Sequence, residues 1–168
     1  IDNNFLYFAG EGHCLHIHNQ IGKFDLNLWE IVWVKDLDEI GSIFTQVHTV
    51  SILNNGNIYM GGNQGGYQVS SILDASGNFI EHSQIVQCYN EPYHLCGGDI
   101  FDSRTLQDGS IAVIGEGSFT DLSQYGRMGF LMILDGNSLD IINLSRYDGG
   151  STDGSSDSFY HMLNTSNN

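Results

Sequence analysis

Polar-Gly turns recur along this chain at intervals of a little over fifty residues, and each introduces the same succession of short β-rich runs. The middle copy reads Asn55-Gly56-Asn57-Ile58-Tyr59-Met60-Gly61-Gly62, then Val69-Ser70-Ser71-Ile72-Leu73-Asp74, then Gly77-Asn78-Phe79-Ile80. The third reads Asp108-Gly109-Ser110-Ile111-Ala112-Val113-Ile114-Gly115, then Phe130-Leu131-Met132-Ile133-Leu134-Asp135, then Gly136-Asn137-Ser138-Leu139. The first enters late, with Phe5-Leu6-Tyr7-Phe8-Ala9-Gly10, Ile21-Gly22-Lys23-Phe24-Asp25 and Trp29-Glu30-Ile31-Val32-Trp33. Gly56 and Gly109 are 53 apart, and Gly10, Gly61 and Gly115 are spaced by 51 and 54.

A period of this size made only of strand-like runs implies propeller blades or a β-solenoid. The second runs align on Asp25, Asp74 and Asp135, and Phe130 to Leu134 is apolar on both faces, as a strand covered on both sides must be. The third runs mix polar residues into their alternation and suit half-exposed strands. The expected strands are 5–9, 15–25, 29–35, 47–53, 57–61, 67–74, 78–86, 101–106, 110–115, 128–135, 138–145 and 158–164. No stretch has the spacing and caps of a helix.

Residues 158–168 parallel Gln46 to Asn55, so the chain stops before the turn of a fourth copy, and it starts just after such a turn. The expected organisation is therefore about three four-stranded antiparallel blades, over 1–45, 46–98 and 99–157, with a fourth begun at 158–168. This all-β unit is expected to be part of a larger β-propeller and a fragment of a longer protein.

Ile21-Gly22-Lys23-Phe24-Asp25 with Trp29-Glu30-Ile31-Val32-Trp33, and Leu106-Gln107-Asp108-Gly109-Ser110-Ile111-Ala112-Val113-Ile114-Gly115, resemble the long-period β-propeller repeats of kelch-like or quinoprotein-like proteins. The Trp pair occurs only in the first copy. The resemblance implies a shared architecture and binding of proteins or glycans. It transfers no catalytic residue.

The chain has 20 acidic against 5 basic residues, a net charge of −15. Nucleic acid and anionic membranes are poor partners, because both need clustered Lys and Arg. The longest apolar runs are strand-length, so no membrane insertion is expected.

Cys88 and Cys96 bracket a loop containing Tyr89, the only proline, Tyr93 and His94. A disulfide between them is the simplest reading and implies an oxidising, extracellular or cell-surface setting; two buried free thiols are the alternative. Tyr89, Tyr93 and His94 are candidate contacts for a glycan or a protein, or else shield a blade edge. Asn143-Leu144-Ser145 and Asn164-Thr165-Ser166 are glycosylation sequons at Asn143 and Asn164.

On a strand running through Leu15, the side chains of Cys14, His16 and His18 share one face and could bind a divalent metal such as zinc or copper. Locally hydrogen-bonded histidines are the competing reading, and a disulfide from Cys14 to another segment is a third. The acidic loop Asp148 to Asp157 lacks the ligand spacing of an EF-hand and reads as a solvated connector. No nucleophile elbow or P-loop is present, and no spacing singles out a carboxylate pair among Asp99, Asp102, Glu116 and Asp121.

The leading expectation is a non-catalytic binding or structural module of a secreted or cell-surface protein, with no resident cofactor. Its partners would be other blades of the same protein, neighbouring chains or a glycan. An enzyme with a glycan-processing or metal-dependent site on the propeller axis, completed by other blades, is the alternative.

Overall fold

In the computed structural model the described residues are 4–14, 16–39, 44–84, 95–119, 127–147 and 158–163; at 11–18 and 84 only the backbone is described. All regular structure among them is β, in three antiparallel sheets. The first holds β1 (Phe5–Cys14), β2 (His16–Asp25) and β3 (Glu30–Asp36), in that order. The second runs β4 (Gln46–Ile52), β5 (Ile58–Gln64), β6 (Tyr67–Leu73) and β7 (Phe79–Gln84). The third runs β8 (Leu95–Thr105), β9 (Ile111–Phe119), β10 (Met128–Leu134) and β11 (Ile141–Tyr147). The fold is all-β, as expected, although the first sheet has three strands among the described residues.

The hairpins are built by local polar chemistry. Between β4 and β5, Gly56 at φ +84° donates to Leu53 O, and Leu53 N–H donates to Asn57 O. Between β8 and β9, Gly109 at φ +90° donates to Leu106 O, and Leu106 donates to Ser110 O. A side chain would be strained at these angles, which is why glycine stands there. Asp25, which ends β2, and Asp74 and Asp135, which follow β6 and β10, serve the next turn. Asp25 Oδ1 accepts the N–H groups of Asn27 and Leu28, Asp74 Oδ1 those of Ser76 and Asn78, and Asp135 Oδ1 those of Asn137 and Ser138. These are Asx-type turns, in which a carboxylate takes over backbone donors that the strands release.

Two apolar cores lie at the two sheet junctions. Ile21 of the first sheet meets Val47, Ile58, Met60, Val69 and Leu73 of the second, with Tyr7, Ala9 and Trp33 packed against them. Tyr59 and Ile72 of the second meet Ile100, Ile111, Val113 and Phe130 of the third. Each fully buried aliphatic or aromatic side chain contributes about 1.5–3 kcal/mol. The sheets are thus joined face to face by side chains, while hydrogen-bond ladders stay within each sheet.

The register refines the sequence alignment. Leu6 lies opposite Phe24, Ile58 opposite Leu73 and Ile111 opposite Leu134. Four residues on from each stand Gly10, Gly62 and Gly115, so Gly62 and not Gly61 is the counterpart. A Cβ on Gly62 would collide with the carbonyl oxygen of Gln46, and one on Gly115 with that of Asp99. Gly61 acts differently, since a Cβ there would sit 2.8 Å from Ile100 Cγ2, and its absence admits β8.

The expected strand at 158–164 is not formed over 158–163. That segment is held by side chains instead. Met162 N–H donates to Asp102 Oδ2 at 2.9 Å, and Arg104 Nη2 donates to Met162 O at 3.0 Å. Asp102 and Arg104 thus satisfy the N–H and carbonyl of Met162, and Phe159 N–H donates to Gly115 O at 3.5 Å.

Candidate functional site

The strands that open the second and third sheets each carry a bulge. In β4 the register shifts between Val47 and Thr49, and in β8 between Ile100 and Asp102. A bulge leaves one residue unpaired and re-aims its side chain. The residues at these bulges are His48 and Phe101, whose ring centroids lie 5.7 Å apart; β8 has a further bulge at Gly97. Tyr160, on the next segment, stacks on Phe101 at 4.8 Å with the planes 24° apart. Three rings from three successive segments thus form a column. Tyr160 at its end is 58% exposed.

Polar groups line this column. His48 Nε2 stands 3.2 Å from Asp99 Oδ1, an oxygen that is buried and accepts no hydrogen bond, so the contact is electrostatic without hydrogen-bond alignment. Asp99 Oδ2 accepts from Asn63 Nδ2 at 2.7 Å, and Asn63 also donates to Gln46 Oε1 at 3.0 Å. Asp102 is more fully engaged: Oδ1 accepts from Ser103 N and Arg104 Nη1, and Oδ2 from Met162 N. Farther along, Glu116 pairs with Arg127 and accepts from Ser158 Oγ at 2.5 Å.

The positions singled out in the sequence stand elsewhere. Cys88, Tyr89, Tyr93, His94 and Asn164 lie outside the described residues. Cys96 lies on β8 and is disulfide-bonded. Asn143 is an exposed residue of β11, opposite Ile133. Cys14, His16 and His18 do not share one strand: β1 ends at Cys14, β2 begins at His16, and these two are paired across the hairpin. The pairing of β1 with β2 extends from Phe5 opposite Asp25 to Cys14 opposite His16, so the two residues lie on facing strands. Among the residues whose side chains are described, no group of three or more His, Cys, Asp or Glu is arranged to hold a metal. His48, Phe101 and Tyr160 were not singled out, though the alignment of 46–55 with 158–168 places His48 and Tyr160 at the same point.

No protein-family model matches the chain, and no curated protein matches it. Among solved structures it is similar to the crystal structure of a protein of unknown function from Bacteroides caccae, with a TM-score of 0.54 and 14% identity. The match covers 89% of this chain and 43% of that one, so the chain spans less than half the length of the protein it resembles. At such identity the likeness concerns the fold alone.

Proposed function

We propose that the chain is a non-catalytic binding or structural module, built as successive blades of a kelch-like or quinoprotein-like β-propeller, and that the ring column is its ligand surface. The observation that carries this reading is the column formed by His48 and Phe101, at the bulges of β4 and β8, and by Tyr160, which stacks on Phe101. The blade reading is supported by the face-to-face junctions and by the matched collisions at Gly62 and Gly115.

The chemistry of the column favours a neutral, hydroxyl-rich ligand such as a glycan. An exposed ring face stacks on the apolar side of a sugar, and Tyr160 offers such a face at the end of the column. A net charge of −15 works against anionic ligands. The disulfide at Cys96 supports an oxidising, secreted or cell-surface setting.

The test is binding to a panel of neutral oligosaccharides, followed by calorimetry on any that bind. Tyr160→Ala and Phe101→Ala should each weaken binding at least tenfold while leaving the circular dichroism spectrum unchanged. Binding that survives both substitutions would place the ligand elsewhere.

A further inference from the structure

The first and third sheets each turn one face away from the second, and those two faces are halves of a junction that the chain already makes twice. On the first sheet the register puts Leu6, Phe8, Phe24, Ile31 and Val34 on the outward face. Leu6 is 40% and Phe8 37% exposed, whereas their counterparts Ile58, Met60, Ile111 and Val113 are all 0% exposed. The difference is that the second and third sheets have a neighbour on that side and the first has none among the described residues.

On the third sheet the outward face carries Ile114 opposite Leu131, the latter 39% exposed. Phe159 and Met162 lie beside them and, with Tyr147, line a groove of about 440 Å³. This is the face which, in the first sheet, packs through Tyr7 and Ala9 and, in the second, through Tyr59 and Ile72. Both internal junctions therefore join this kind of face to the kind the first sheet leaves open.

The edge of β1 is open in the same sense. A Cβ on Gly10 would meet nothing within 4 Å, where its counterparts Gly62 and Gly115 face the carbonyls of β4 and β8. Val47 lies opposite Gly62 and Ile100 opposite Gly115. Segment 158–163 repeats that relationship: Tyr160 stacks on Phe101 as Phe101 packs on His48, which puts Phe159 in the place of Ile100 and Val47.

We propose that a second copy of this chain docks head to tail on the first. The third sheet of one copy covers the outward face of the first sheet of the next, and its segment 158–163 pairs along β1 as a fourth strand, with Phe159 opposite Gly10. The occupant follows from continuity with two existing junctions of the same kind, and it does not depend on what the ring column binds. The contact is heterologous, so it closes into a ring or extends as a filament according to the rotation between copies. Strand addition at an open edge supplies backbone hydrogen bonds, and the covered apolar faces supply most of the free energy.

The experiment is sedimentation velocity of the 168-residue chain across the micromolar range. The wild-type mass should rise with concentration above the 18.6 kDa of one chain. Gly10→Val should remain at 18.6 kDa with unchanged melting, because a Cβ at this position meets nothing within 4 Å in one copy yet would collide with an added strand. Leu131→Glu, a change at an exposed side chain of the other face, should do the same and carries the test should Gly10→Val unfold. An equimolar mixture of the two variants should form a dimer and stop there, since each blocks a different end. A wild-type chain monomeric at every concentration overturns the proposal, as does a Gly10→Val chain that assembles like the wild type or a mixture that stays monomeric.

Discussion

Thr49 Oγ1 and Ser103 Oγ lie 2.8 Å apart across the junction of β4 and β8, and Ser51 Oγ stands 2.6 Å from the same Ser103 atom. Ser103 is 0% exposed, so this chain of hydroxyls links the opening strands of two sheets where water cannot replace a lost partner. Ser103→Ala removes the shared atom, leaving Thr49 Oγ1 only the 3.5 Å contact with Asp102 Oδ1 and Ser51 Oγ its bond to the Ser103 carbonyl. The expected cost is about 1–3 kcal/mol. Urea denaturation should show a lower midpoint with an unchanged slope, because the surface exposed on unfolding is the same.

The aligned glycines separate covered from open strand edges. Gly62→Ala and Gly115→Ala would each drive a methyl group into the backbone carbonyl of the preceding strand, which cannot rotate aside as a side chain can. Each should cost about 3 kcal/mol, the upper end for overpacking. Gly10→Ala meets no atom and should leave thermal stability of the monomeric chain unchanged within about 0.5 kcal/mol. Melting curves of the three variants, compared at one low concentration, check the contrast.

Much of this fold was legible in the sequence because its signals are local. Asp25, Asp74 and Asp135 mark strand ends since each accepts backbone donors within the next three or four residues, and Gly56 and Gly109 mark turns by their positive φ. What was missed depends on contacts between segments. Gly61 looked like the partner of Gly10 and Gly115, but only strand pairing shows that Gly62 faces the carbonyl. Segment 158–163 has a strand-like pattern, yet Asp102 and Arg104 take the backbone groups of Met162 through side chains, which no periodicity encodes. The ring column was hidden for a related reason: His48, Phe101 and Tyr160 differ in type, and the bulges that bring the first two together show only in the strand pairing.

The turn carboxylates should tie stability to acid pH. Backbone N–H donation from Asn78, then its side-chain amide, holds Asp74 below the usual carboxylate range, and donation from the N–H groups of Ser138 and Asn137 does the same for Asp135. For Asp108 the Ser110 hydroxyl and N–H are the cause. A depressed folded value means that the stabilisation is complete above the unfolded value near 3.9 and is lost as pH falls through the folded one. The chain should therefore lose stability progressively below about pH 4. In Asp74→Asn and Asp135→Asn the acid-dependent loss should be smaller than in the wild type, as read from melting temperatures over an acid pH series.

At the alkaline end the group to watch is Tyr59. Its ring is fully buried in the core between the second and third sheets, and its hydroxyl lies 2.8 Å from Ser70 Oγ. Burial pushes its pKa well above the ordinary tyrosine value, and the Ser70 bond only partly offsets this. The phenolate is disfavoured in the folded chain, while the unfolded chain ionises near pH 10. Stability is therefore unaffected below about pH 10 and falls as pH rises beyond it. Among the eight tyrosines, at least one should gain its phenolate absorbance only as the chain unfolds. Tyr59→Phe should abolish that late step and cost about 1 kcal/mol at neutral pH, since Ser70 loses a buried partner. A late step that persists in Tyr59→Phe would assign it to another tyrosine and leave the second core without a part in alkaline unfolding.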